Sequence, residues 1–317
     1  MKQTNKTFIE IISEIQLEKL TKKEIQNTVQ SLLSLKNKTD QDINCFITKF
    51  NKIKINNLEL PTYIITNNKK LDFNLSPKQI MSILEKYELS LKDDNGWTLP
   101  MYILHNNKQE NLNLSNKQIM SIIENSNLLT KNNNGFTLPM HVLSNNKEHD
   151  LNLSNKQIMT IIKKSDLLTK NNYDWTLTMI LLKWNKSLQL NLLPNQIMTI
   201  LKKSDLYNRN DGSTLPMHLL SHNKTQNLNL SPKQIMWILK KTDLLIQNEI
   251  GLTLPMHLLA YNKEENLNLS TEQIISVLEK SDFSTQDNLG RTLPMYILQY
   301  NKTQNLNLSP EQIISVI

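Results

Sequence analysis

The chain has 317 residues, with 36 Lys and Arg against 29 Asp and Glu, a net charge of +7 and a hydrophobic fraction of 38%. That length calls for several domains or one elongated architecture, and the excess of Lys, Asn and Ile, with Arg209 and Arg291 the only arginines, reads as base composition of the gene rather than a nucleic-acid patch. The lone Cys45 excludes an internal disulfide framework, Glu10 and Glu14 interrupt the opening apolar run where a secretory signal would be uncharged, and no window approaches the roughly 18 apolar residues of a membrane span.

Residues 1–56 carry apolar periodic segments, "FIEIISEIQLEKL", "TKKEIQNTVQSLLSL" with a capping box from Thr21 to Glu24, and "DINCFITKF". They read as a divergent helical N-terminal cap. From residue 57 to 317 the sequence repeats. The threonine of a T-L-P-M motif falls at Thr98, Thr137, Thr176, Thr214, Thr253 and Thr292, at spacings of 39, 39, 38, 39 and 39, and Pro61 stands 39 residues before Pro100. Seven copies follow without a linker, the last stopping inside its second helix at "SPEQIISVI". Ile313, Ile314, Val316 and Ile317 are then left without a closing repeat, which a truncated gene or a covering chain would explain.

Each copy predicts two helices. The first starts at the motif, with threonine as N-cap and proline in the first turn, where its missing N–H has no partner to lose. It ends at an Asn-Lys pair, where Asn107, Asn146, Asn185, Asn223, Asn262 and Asn301 are expected to take the left-handed C-cap conformation. The second opens with a capping box, Ser76 with Gln79, Ser115 with Gln118, Ser154 with Gln157, Ser231 with Gln234, Ser270 with Gln273 and Ser309 with Gln312. Between them, "NLNLS" supplies two leucines to plug the gap. All five glycines precede helix one, and all ten prolines lie in helix one or open helix two. One copy alone cannot bury enough apolar surface to fold, so stacking must supply both faces. The expected architecture is an all-α helix-turn-helix solenoid.

The segments "DGSTLPMHLLSHNK" from Asp211 and "QIMWILKKTDLL" from Gln234 resemble the ankyrin repeat, with its glycine turn, T-P-L-H-x-A helix start and aliphatic second helix. The resemblance covers about residues 57 to 317 and looks most like divergent Asn- and Lys-rich repeats of obligate intracellular bacteria. Three departures are plain: a period of 39 rather than 33, an added residue in the motif, and Asp or Asn (Asp205, Asn127) where a glycine usually follows helix two. A related α-solenoid is the alternative.

One slot holds Tyr63, Tyr102, His141, Ile180, His218, His257 and Tyr296, an alternation that suits no metal ligand or general base. In ankyrin-like repeats the histidine there ties down its own turn, so an architectural role is expected. No phosphate loop, nucleophile elbow or Cys/His ligand motif appears, so neither an enzyme nor a cofactor is expected. The slot after the glycine varies more: Leu58, Trp97, Phe136, Trp175, Ser213, Leu252 and Arg291. Ankyrin-like arrays use this tip for partner contact, and Trp97, Phe136 and Trp175 could form an anchor cluster, or pack on the adjacent turn. A second variable slot, late in helix one, ends in Trp184, His222, Tyr261 and Tyr300, a candidate polar-aromatic stripe if helix one lines an inner face.

Copy four loses the glycine (Asp174), the proline (Thr178) and the serine cap (Leu193), and is expected to be the least stable internal unit. The functional expectation is a monomeric, non-enzymatic scaffold binding a protein partner. The resemblance implies a bacterial effector acting on a host protein, cytoplasmic or exported into the host cell without a Sec-type signal peptide. A lysine-dependent nucleic-acid binder and an inactive remnant stay open as alternatives.

Overall fold

The computed structural model describes residues 8–16, 20–33, 40–50, 53–55, 58–207, 209–210 and 212–316. Residues 17–19 of the opening segment, Asp211 of the quoted motif and Ile317 of the final apolar edge lie outside the described residues. The chain divides into two compact units, Met1–Leu153 and Ser154–Ile317.

In the first unit, α1 (Phe8–Glu14), α2 (Lys22–Leu33) and α3 (Asp40–Phe50) precede the repeats. Ile12, Val29, Leu32, Ile43, Phe46 and Phe50 form their buried face, and Lys49 Nζ donates to the Ile12 carbonyl at 2.7 Å. The capping box at the start of α2 is present: Thr21 N donates to Glu24 Oε2 at 2.8 Å and Glu24 N to Thr21 Oγ1 at 3.4 Å. A two-residue antiparallel pair, β1 (Lys54–Ile55) and β2 (Leu58–Glu59), leads into copy one. The first helices of copies one to three are α4 (Leu60–Thr66), α6 (Leu99–His105) and α8 (Leu138–Ser144), which stack in succession, while α3 packs on α5 (Pro77–Glu85) and α5 on α7 (Asn116–Glu124).

The second unit begins with α9 (Asn155–Lys164) and alternates the two helix types: α10 (Leu177–Lys183), α11 (Pro194–Leu201), α12 (Leu215–Leu220), α13 (Pro232–Lys240), α14 (Leu254–Tyr261), α15 (Thr271–Leu278), α16 (Leu293–Tyr300) and α17 (Pro310–Val316). Its first helices again stack in sequence, α10 on α12, α12 on α14 and α14 on α16. Copy five opens on a second short pair, β3 (Arg209–Asn210) with β4 (Ser213–Thr214). Both units are thus helical-repeat stacks, with one addition to the all-α expectation. Every tip is a small hairpin, closed elsewhere by single bridges such as Lys92 with Thr98 and Gln247 with Thr253.

The second helices start as their sequence predicts. All six serine–glutamine boxes form, as at Ser115, where Ser115 N donates to Gln118 Oε1 at 3.0 Å and Gln118 N to Ser115 Oγ at 3.4 Å. Copy four keeps only half of its box, since Leu193 has no oxygen while Gln196 still reaches Leu193 N at 2.8 Å. The threonine caps of the first helices are less uniform. Thr137 and Thr176 accept from the N–H three residues on, but Thr98, Thr214, Thr253 and Thr292 make no side-chain cap bond. With or without that bond, the backbone of each of these six threonines pairs across its tip hairpin.

The asparagines after helix one correct an expectation. They are not left-handed caps: Asn262 and Asn301 sit at φ −53° and −51°, and positive φ falls on the link asparagines, such as Asn111 at 52° and Asn113 at 51°. Alternating those residues with Leu112 and Leu114 turns the link so that both leucines point inward, 0% and 7% exposed. The helix-end asparagine is buried and works through its side chain. Asn107 Oδ1 accepts from Leu114 N at 3.0 Å and its Nδ2 donates to the His149 carbonyl of the next copy at 3.3 Å. Asn262 repeats both bonds, to Leu269 N at 3.1 Å and to the Gln304 carbonyl at 3.2 Å. A side chain that satisfies its own link and the adjacent copy at once leaves few buried backbone groups unpaired.

Candidate functional site

The tip begins as an Asx-type turn. Asn248 Oδ1 accepts from Ile250 N at 3.1 Å and Leu252 N at 2.8 Å, and Asp93, Asn132, Asn171 and Asp287 do the same for their own tips. Gly251, at φ 79°, completes the turn; a Cβ there would stand 2.7 Å from Asp287 Cα of the following tip. Successive tips are zipped this closely because Asn288 N donates to the Ile250 carbonyl at 3.1 Å, as Asn133 N does to Asn95 at 2.9 Å.

In copies two, six and seven the second polar atom of the turn residue meets the ring in the histidine slot, and the two residues vary together. Where the turn residue is Asp, the slot is Tyr: Tyr102 OH donates to Asp93 Oδ2 at 2.6 Å and Tyr296 OH to Asp287 Oδ2 at 2.8 Å. In copy six, where it is Asn, His257 Nε2 accepts from Asn248 Nδ2 at 3.3 Å, whereas His141 Nε2, in the copy whose turn residue is Asn132, has no partner. Burial raises the Tyr102 and Tyr296 phenols well above their ordinary range, and burial lowers His257 to about 4, so each ring is neutral at pH 7. In copy four the slot is Ile180, and Asn171 Nδ2 is buried with no partner. His257 is accordingly a structural acceptor.

The nine residues singled out from the sequence are all half-buried. Trp97 does not stand out from its tip; it packs on Tyr102 at 5.1 Å, His105 at 5.2 Å and His141 at 4.7 Å between ring centroids. Phe136 is held at its backbone by Asn132 Oδ1. In the second unit Trp175 lies 4.8 Å from Trp184 and 6.1 Å from His218, with Lys183 Nζ 4.4 Å over the Trp175 ring. His222 Nδ1 donates to the His218 carbonyl at 2.9 Å, Tyr261 stacks on His257 at 5.8 Å, and Tyr300 lies tilted against Tyr296 at 5.7 Å. Arg291 lies 4.9 Å over Tyr296 and is paired with Asp287 at 2.8 Å. The tip slot and the late slot of helix one therefore meet within one copy, directly in Trp175 with Trp184 and through the histidine-slot ring in Arg291, Tyr296 and Tyr300. Leu252 contributes a half-buried aliphatic side chain at the same level.

An exposed tip slot not singled out from the sequence is the one just before the glycine position. Tyr173, Ile250 and Leu289 occupy that slot at 60%, 59% and 78% exposure. The signal was available, since copies two and three carry Asn95 and Asn134 there.

A second grouping also went unseen. His105 from the end of α6, His141 from α8 and His149 from the link after α8 bring one ring nitrogen each within 4.8 Å of the others. Burial holds all three below the usual histidine pKa, His141 furthest, at about 3, with the neighbouring histidines adding to the effect.

No family model matches the chain, and no curated protein matches it significantly. Among solved structures it is similar to the ankyrin repeat domain of Bcl-3, a member of the IkappaB protein family, at 10% identity over 81% of this chain and 96% of that one, with a TM-score of 0.43. It is also similar to a chain from the complex of the Bd0816 predatory endopeptidase of Bdellovibrio bacteriovorus with immunity protein Bd3460 (15% identity, 63% and 91% coverage, TM-score 0.41). A third is the ankyrin repeat protein EF0377 (15%, 78% and 96%, TM-score 0.33). At such scores the assignment rests on the repeat's own geometry: tip hairpin, glycine turn, proline-started helix, return helix. The fold is ankyrin-repeat-like.

Proposed function

We propose that the chain is a protein-binding scaffold that engages its partner through the tips and the adjoining aromatic slots of the second unit. The observation that carries this reading is the recurrence of a large apolar side chain at an exposed tip position, Tyr173, Ile250 and Leu289, in a repeat whose second and third copies place asparagine there. Solvent-facing apolar side chains at a repeated slot are costly to keep in water and suit burial under a second protein surface. Behind them, Trp175, Trp184, Tyr261 and Tyr300 offer rigid, half-exposed rings of the kind that anchor interfaces, with Leu252 between and Lys183, His222 and Arg291 supplying polar contacts.

Trp97 and Phe136 have a smaller share in this reading, since Trp97 is engaged by its own unit. The sequence's resemblance to repeats of intracellular bacteria extends the proposal to a host protein as the partner and an effector role for the chain.

The test uses substitutions that other copies already carry. Ile250→Asn and Leu289→Asn together are expected to leave the helical content and unfolding midpoint unchanged while removing the proteins captured from host-cell lysate by the unsubstituted chain. Equal capture by both forms would overturn the tip reading.

A further inference from the structure

The repeat provides its own controls for the three clustered histidines. The slot of His105 holds Ser144, Lys183, Ser221 and Ala260 in other copies, and that of His149 holds Glu110, Gln226, Glu265 and Gln304. In those copies the residue at the second slot ties its copy to the one before. Glu110 Oε2 accepts from Lys69 N at 2.8 Å, Glu265 Oε2 from Lys224 N at 2.8 Å and Gln304 Oε1 from Lys263 N at 3.0 Å. Copies two and three replace ordinary repeat residues by histidine at two slots, and both new rings face the histidine-slot ring of copy three. Three of the chain's six histidines meet at this one junction.

What they present to one another is unused ligand capacity. His105 Nδ1, His141 Nε2 and His149 Nε2 are buried and have no hydrogen-bond partner, and the His141 side chain belongs to a residue only 8% exposed. Buried polar atoms are ordinarily paired. In copy six the turn asparagine donates to the ring in the histidine slot, Asn248 Nδ2 to His257 Nε2, but His141 Nε2 has no such bond. The rings are held in place on one side by Trp97, 4.7 Å from His141, and by each other, His105 lying 4.4 Å from His149. Glu148 and Asp150 add negative charge beside them.

We propose that His105, His141 and His149 bind one late first-row divalent metal ion, zinc foremost, across the junction of copies two and three. Neutral imidazoles suit Zn2+ and its neighbours in the series, whereas Ca2+ and Mg2+ require oxygen donors. Zinc–nitrogen bonds of about 2.0–2.1 Å put tetrahedral ligand nitrogens about 3.4 Å apart, so the rings, with nitrogens now within 4.8 Å, need only small rotations to close on an ion. Three protein ligands leave a fourth position for water or for a partner's side chain.

The experiment titrates the purified full chain with Co2+, then displaces it with Zn2+. One equivalent is expected to bind, with the visible absorption of a low-coordinate cobalt site that disappears on zinc addition, and Zn2+ is expected to raise the unfolding midpoint. His149→Gln and His105→Ser install residues that other copies carry, so both should fold with unchanged circular dichroism, yet each should weaken metal binding by at least tenfold. His222→Asn, in the second unit, should leave it unchanged. Absence of stoichiometric binding, undiminished affinity in the two cluster variants, or loss of binding in His222→Asn would each overturn the assignment.

Discussion

The Tyr296 hydroxyl donates to the Asp287 carboxylate at 2.8 Å, with both residues nearly inaccessible to water. Burial pushes that carboxyl up, but hydrogen bonds from Arg291 N, the Tyr296 hydroxyl, the Arg291 guanidinium and Leu289 N outweigh it and hold Asp287 below its ordinary pKa. One copy earlier the same two positions are Asn248 and His257, with the donor now on the turn residue and the acceptor on the ring. The two slots are chemically coupled.

Breaking the coupling has an expected cost. Asp287→Asn puts an amide where Tyr296 and Arg291 need an acceptor, and should destabilise the second unit by about 1–3 kcal/mol, the range for unpaired buried polar groups. Asp287→Asn with Tyr296→His recreates the copy-six pair and should recover part of that loss. A double-mutant cycle in urea unfolding measures it, and strict additivity would show the slots to be independent.

Acid should expose the histidine form of the pair. His257 is lowered from 6.5 to about 4 in the folded chain, so between these values the unfolded chain binds the extra proton and stability rises with pH. Its contribution is fully present above pH 6.5 and is lost as pH falls towards about 4, amounting to at most about 3 kcal/mol. Asn248→Asp with His257→Tyr, the copy-seven pair, should flatten the unfolding free energy between pH 7 and 4.5 relative to the unsubstituted chain.

Copy four departs from the repeat in ways with physical consequences. Asp174 occupies the glycine position at φ 60°, Asn171 Nδ2 is orphaned opposite Ile180, and Leu193 is 61% exposed at a capping position. Thr178, replacing proline, is compensated by a 2.7 Å bond to Ser204. Backbone amides of residues 174–206 should exchange fastest among the internal copies. Asp174→Gly should slow them by relieving up to about 1 kcal/mol of left-handed strain.

The helix-end asparagines should rank above the serine caps in stability. Asn223→Ala removes the acceptor for Leu230 N at 2.8 Å and the donor to the Glu265 carbonyl at 3.2 Å, both buried. Its expected cost is about 2–4 kcal/mol from two stranded groups, against about 1 kcal/mol for Ser231→Ala. Chemical denaturation of the two variants compares them directly.

The helices, the serine–glutamine caps and the leucine plugs were legible because each depends on residues within a few positions of one another. Ser231 and Gln234 specify a helix start wherever they occur together. The asparagine at 223 misled because its partners, Leu230 and Glu265, lie in the link and in the next copy, and only the stacked structure brings them to it. For Trp97 the sequence left an anchor and packing on the adjacent turn both open for the same reason: one of the rings it lies against, His141, belongs to the following copy. The histidine trio was hidden more deeply, since its members come from three different slots and no single-column comparison of copies aligns them.

The two-handed asparagine has a consequence for how such a chain can change its length. Within each unit copies reach forward with the same amide to the same carbonyl of the next, as Asn68 does to Glu110, Asn185 to Gln226 and Asn262 to Gln304. A duplicated or deleted whole copy would find a matching socket on either side, whereas a fractional insertion would strand a buried amide at every joint it displaced. The joint thus acts as a ratchet on gene rearrangement, admitting changes in steps of one complete module.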